Sequence, residues 1–115
     1  IAGSVGNPGK ADGTGTAATF YNPRGITYST VSASAYVADT NNNLIRKVTP
    51  AGVVTTVVGT GTQGSQDGVG IYASLWYPQG VVFTTAGNGC SAGTPCLYVS
   101  DTQNHKIRRI TGSGL

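Results

Sequence analysis

The chain has 115 residues, of which 18 are Gly and few are charged: seven Lys or Arg, four Asp and no Glu. A hydrophobic content of 38% with 10% charge excludes ordinary disorder, the absence of a triplet Gly period excludes a collagen-like rod, and no apolar run approaches the roughly 20 residues of a membrane-spanning helix. Ala, Leu, Glu and Lys are too scarce for a coiled coil, and a net charge of +3 built from so few cations is thin for a nucleic-acid surface.

In chain order, Ile1-Ala2-Gly3 resembles the later Val57-Val58-Gly59 and reads as the tail of an outer strand, preceding or exchanged between copies. Asp12-Gly13-Thr14-Gly15 is turn material. Pro23-Arg24-Gly25 then opens a strand at 25–28. Pro stiffens the entry, and Gly lets the backbone crowd a neighbour, so this strand is expected to lie innermost. A second strand follows at 35–38. Asp39-Thr40-Asn41-Asn42 has the side chains of a tight turn that bond local backbone. A third strand is expected at 44–49, then the turn Thr49-Pro50-Ala51-Gly52, then a fourth strand rich in β-branched residues at 53–58.

The same order then returns. Asp67-Gly68-Val69-Gly70 repeats Asp12-Gly13-Thr14-Gly15, and Pro78-Gln79-Gly80-Val81 repeats Pro23-Arg24-Gly25-Ile26. Tyr98-Val99-Ser100-Asp101-Thr102-Gln103-Asn104 repeats Tyr36-Val37-Ala38-Asp39-Thr40-Asn41-Asn42, and Ile107-Arg108-Arg109-Ile110-Thr111 repeats Ile45-Arg46-Lys47-Val48-Thr49. Strands are therefore expected at 80–84, 97–100 and 106–111. The second copy carries an insertion at 84–96, which marks a loop between strands. The division is residues 1–58 and residues 59–115, the second repeat lacking its outer strand. The length suits one small domain or part of a larger one. A chain opening at Ile1 is expected to be processed, trimmed or partial.

Cys90 and Cys96 both lie in the insertion, with Gly93 and Pro95 between them. So short a loop brings the two sulfurs within disulfide reach, and a bond there favours an oxidising, extracellular or cell-surface setting.

Several stretches imitate chemical motifs. Gly59-Thr60-Gly61-Thr62-Gln63-Gly64 spells a dinucleotide fingerprint, but Ser65-Gln66-Asp67-Gly68 follows where a helix is required, so no cofactor is expected. Asp39-Thr40-Asn41-Asn42-Asn43 begins like a calcium loop, but Leu44 and Pro50 stand where Gly and Glu are needed, so no metal is expected. The four Asp occupy equivalent places in the two copies: Asp12 with Asp67, and Asp39 with Asp101. Together with Asn42 and Asn104 they are expected to build turns, because a reaction centre needs unlike groups. His105 replaces Asn43 and has no second His or Glu beside it, which is poor material for a base or a metal ligand. Arg46 and Arg108 each have a cationic neighbour pointing to the opposite sheet face. They are expected to pair with Asp39 or Asp101 across units, or to add to an interaction surface. Tyr21, Trp76 and Tyr77 precede the inner strands and are candidates for protein or glycan contacts, whereas Phe20 and Leu75 are expected to pack.

Four short antiparallel strands per repeat describe a meander, and meanders repeated radially make propeller blades. The pattern Pro-x-Gly-Ile followed by Tyr-Val-Ala-Asp-Thr-x-Asn-x-x-Ile-Arg-Lys-Val resembles the NHL repeat of β-propellers. The glycine-rich segment before it is similar to an NHL subclass with long inter-blade connections. The resemblance spans nearly the whole chain. It implies an all-β fold of two blades, the second incomplete, belonging to a larger or oligomeric propeller.

It also implies a scaffold that binds protein, glycan or RNA on a propeller face, or, in a minority of members, a lyase or lactonase. The metal ligands of those enzymes have no counterparts here. The expected function is thus a non-catalytic extracellular interaction module. Its partners would be other blades of the same parent protein or copies of itself, with protein or glycan as possible ligands and nucleic acid disfavoured. An enzyme whose site lies in other blades and an RNA-binding propeller are the alternatives. Two blades leave apolar faces uncovered, so further blades are expected.

Overall fold

The computed structural model describes residues 1–85, 87, 89–112 and 114–115; positions 86 and 88 of the insertion and Ser113 lie outside the described residues. Among the described residues, eight strands form two antiparallel sheets: β1 (Gly13–Thr14), β2 (Pro23–Ser29), β3 (Ser34–Asp39), β4 (Leu44–Val48), β5 (Val53–Val58), β6 (Pro78–Thr84), β7 (Cys96–Asp101) and β8 (Lys106–Thr111). The first sheet runs β1-β5-β4-β3-β2 and the second β6-β7-β8. The expected strands are present, and the inner ones begin two residues early, at the prolines. Pro23 and Pro78 are each followed by a register shift, where a residue without an N–H suits an irregular ladder.

One element was not anticipated. The glycine-rich segment ahead of β2, within the first repeat, contributes β1, which pairs antiparallel outside β5. An isolated Gly-Thr pair carries no periodic signal, so only its placement against β5 makes it a strand.

Each β3–β4 and β7–β8 connection is a single 3-10 turn, Thr40–Asn42 and Thr102–Asn104. The turns end in left-handed residues, Asn43 at φ 58° and His105 at φ 56°. Asn and His are among the side chains that tolerate this region best, which explains an otherwise unmatched substitution between copies.

Alternation along the strands sorts the side chains into two layers. Tyr36, Ala38, Ile45 and Val58 face the second sheet and meet Ala73, Leu75, Val81, Leu97 and Val99 in one buried cluster. The opposite face of the first sheet carries Val37, Val48 and Val54, packed with Ala18, Phe20 and Ala2. The sheets thus stack face to face, with β2 beside β6 at the inner side of both.

Gly25 sits at that seam. A Cβ there would run into the Gln79 carbonyl and lie 3.0 Å from the Gly80 Cα. Gly25→Ala is therefore expected to force the inner strands apart and to lower unfolding free energy by about 1–3 kcal/mol, measured by urea titration. An unchanged midpoint would refute the close-packed seam.

Candidate functional site

The two repeats build the same polar latch from the same residues. In the first, Asp39 is fully buried at the end of β3. Its Oδ1 accepts the Tyr21 N–H (2.8 Å), and its Oδ2 accepts Asn42 Nδ2 and one Arg46 guanidinium nitrogen, both at 2.8 Å. That Arg46 nitrogen also donates to the Thr19 carbonyl, while the other serves the Ala11 carbonyl and Asp12 Oδ1 at 2.8 Å each. The Phe20 ring lies against the guanidinium, 5.1 Å from its carbon. Asn42 Nδ2 reaches the Gly9 carbonyl as well. One buried cation therefore ties the connector to the sheet.

The second repeat reproduces this bond for bond. Asp101 accepts from the Trp76 amide, Asn104 and Arg108. Arg108 donates to the carbonyls of Ser74 and Gln66 and to Asp67, and Asn104 reaches Gly64.

Two expectations are corrected by this geometry. Arg46 and Arg108 pair with the aspartates of their own repeat, not with those of the neighbour. The side chains of Asp39 and Asp101 do not cap the backbone of the turns that they open; they accept from the turn side chains Asn42 and Asn104 and reach back to the connector. The register explains the first point: Arg46 lies opposite Val37 on the face that its own connector covers.

Side-chain bonds that cross between repeats include some to which the sequence reading gave no such role. Thr40 Oγ1 donates to the Pro78 carbonyl (2.7 Å), Asn43 Oδ1 accepts the Tyr77 N–H (2.8 Å), and Thr27 Oγ1 accepts the Phe83 N–H (3.1 Å). Thr40 recurs as Thr102, and that recurrence was a signal in principle. Asn43 and Thr27 are replaced by His105 and Val82 in the second copy, so recurrence gave no signal for them.

Of the aromatic candidates, Tyr21 and Tyr77 are exposed and Trp76 is half-buried. Tyr77 adopts φ 52° and its counterpart Asn22 φ 49°. A bulky side chain in that region is uncommon, and the Asn43 bond to the Tyr77 amide helps to hold it there. Phe20 and Leu75 pack as expected. Gly80 donates its N–H to Ser100 Oγ within its own repeat. Cys90 and Cys96 are joined in a disulfide.

Equivalent positions on the outer flanks differ sharply in exposure. Ile45 is 0% exposed under the second sheet, whereas its counterpart Ile107 is 73% exposed. On the other flank Val81 is 5% exposed against the first sheet, whereas its counterpart Ile26 is 69% exposed. Each flank therefore presents one half of the seam already formed inside the chain. An open groove beside Ile26 is lined by Ala2, Phe20, Ala35, Val37 and Val48.

No family model matches the chain. It is 36% identical over 105 residues to the human protein NHL repeat-containing protein 2, an alignment covering 88% of this chain and 14% of that protein. The cattle protein of the same name is 43% identical over 60 residues, covering 51% of this chain and 8% of its own length. Among solved structures, the chain resembles an auxiliary nutrient binding protein of Bacteroides thetaiotaomicron VPI-5482, with TM-score 0.80, 28% identity, and coverage of 96% of this chain and 27% of that one. A similar protein of Bacteroides ovatus ATCC 8483 gives TM-score 0.79 and 26% identity over 97% of this chain and 28% of its own. The chain thus spans about a seventh of the human relative and about a quarter of these structures. The paired repeats, the recurrent Asp–Arg–Asp latch and these likenesses agree: the chain belongs to the NHL-repeat β-propeller family.

Proposed function

We propose that the chain is a non-catalytic, extracellular interaction module that works only when further blades cover its two flanks. The carrying observation is the contrast between Ile45 and Ile107, the same residue at the same place in two repeats, buried only where a following sheet exists. The bonding groups of the seam also recur outside it. Thr102 and His105 stand on one flank where Thr40 and Asn43 stand inside, and the Asn22 amide and Pro23 carbonyl stand on the other where those of Tyr77 and Pro78 stand inside.

The non-catalytic reading draws on the latch. All four aspartates accept hydrogen bonds from arginines of the chain, which supports a structural role for them. The same bonds occupy the Arg46 and Arg108 guanidiniums, which argues against a phosphate-binding face. The disulfide favours an oxidising compartment. The ligand-facing surface is assigned to the exposed Tyr21 and Tyr77 with the adjoining Trp76, where a flat polar ligand such as a sugar or a peptide can stack.

Light scattering on the native protein tests the central point. Assembly with further blades, within a longer chain or between copies, is expected. A native protein that is a monomer with no blades beyond these two would overturn it.

A further inference from the structure

The seam between the two repeats holds an open groove of about 320 Å³. Leu44 of the first repeat, the segment 59–61 and Ile71 of the second connector line it, and Lys10 joins them from the first connector. The Lys10 ammonium lies against Gly61, 3.2 Å from where a Cβ would stand. Among the described residues no carboxylate pairs with it, since Asp12, Asp39, Asp67 and Asp101 are held by Arg46 and Arg108. The backbone N–H groups of Thr60 and Gly61 likewise meet no acceptor among the described residues. Leu44 is 3% exposed and forms an apolar floor.

Both repeats that frame this groove are present, so it does not arise from an uncovered flank. Ile71 is 54% exposed although the preceding sheet lies beside it. Its counterpart Thr16 is exposed although its own outer strand is in place. Neither neighbour therefore covers that position. The groove is also particular to this seam. Ser65 stands for Lys10 and Lys106 for Leu44 in the second repeat, and Thr16 stands for Ile71 in the first. Groups repeated in every unit serve the unit; these three are not repeated, yet they meet at one place.

We propose that this groove captures the C-terminal carboxylate of a partner polypeptide whose last residue is aliphatic. A carboxylate set against Gly61 comes within reach of the Lys10 ammonium and of two free backbone donors, a pairing of charge with fixed amide dipoles that suits an anion. Leu44 and Ile71 receive the terminal side chain. No aromatic ring lines the groove among the described residues, so it seats an aliphatic residue better than a sugar ring. Tyr21, Trp76 and Tyr77 take no part in it, and its occupation does not depend on the flanks being covered.

The test uses the native protein and a fluorescein-labelled synthetic hexapeptide of Gly and Ser that ends in Val-Leu with a free carboxylate. Saturable binding is expected by anisotropy, with slowed hydrogen exchange at residues 60 and 61. The same peptide amidated at its end is expected to bind about tenfold more weakly, since a hydrogen bond to a charged group is worth that much or more. Two variants replace a groove residue by its counterpart in the other repeat, so both are expected to fold. In Lys10→Ser the preference for acid over amide is expected to fall by about threefold or more. In Ile71→Thr the preference for a terminal Leu over a terminal Ser is expected to fall instead. Absence of saturable binding overturns the proposal, as does equal binding of acid and amide by the unaltered protein. A preference undiminished in its variant overturns it too. Binding of a hexuronate with none of the peptide overturns it and assigns the groove to an acidic sugar. Light scattering reports separately on the flanks, so failure of one reading leaves the other standing.

Discussion

Replacing Arg46 by Ala is expected to lower the unfolding free energy by about 3–5 kcal/mol, because it strands the fully buried Asp39 carboxylate without its cation. The loss extends beyond one pair. The guanidinium holds Thr19, Ala11 and Asp12 of the connector as well as Asp39 of β3. Removing it frees the connector from the sheet, and with it the ring of Phe20 loses its partner. Arg46→Lys keeps the charge but not the planar fork, so it is expected to recover only part of the loss. Arg108→Ala is expected to cost less. Its side chain is 10% exposed at the open edge of β8, and water entering there can solvate Asp101. Urea titration of the three variants decides the matter. A cost for Arg46→Ala within about 0.5 kcal/mol of zero, the range of ordinary surface changes, would show that the latch does not hold the blade.

Ile45 and Ile107 offer the second large effect and an internal control. Ile45→Ala is expected to cost about 2–5 kcal/mol, since the truncation leaves a cavity between two packed sheets. Ile107→Ala in the same chain is expected to change stability by no more than about 0.5 kcal/mol, because that side chain already meets solvent. Where further blades cover the flank, the Ile107 penalty is expected to rise toward that of Ile45. Equal penalties in the isolated chain would mean that the second flank is packed against something within this chain, contrary to its exposure.

The two variants also separate stability from function. Asp39 and Arg46 are buried beneath the connector that they hold, whereas Ile26 and Ile107 stand exposed on the flanks. Substitutions at the flanks therefore test assembly with little effect on folding. Substitutions at Asp39 and Arg46, which are fully buried, test folding.

Much of this was legible in the residues. The recurrence of Asp12 and Asp39 as Asp67 and Asp101 marked structural roles before any contact was known, because identical groups in every unit serve the unit. Strand positions followed from β-branched runs bounded by Pro, Gly and Asn, a local signal that needs no partner. Gly25 was readable as a point of close approach for the same reason: only its backbone conformation and lack of a side chain were at issue.

Pairing was decided elsewhere. Whether Arg46 reaches its own Asp39 or a neighbour's depends on sheet register and on which face the connector covers, and neither is encoded by spacing along the chain. The strand β1 and the seam bonds of Thr27 and Asn43 arise only when segments distant in sequence are brought together. Local sequence determines what a segment can become, since propensity and turn chemistry act over a few residues. Tertiary packing decides what each polar group bonds and which isoleucine is dry, since burial depends on neighbours that one-dimensional patterning does not specify.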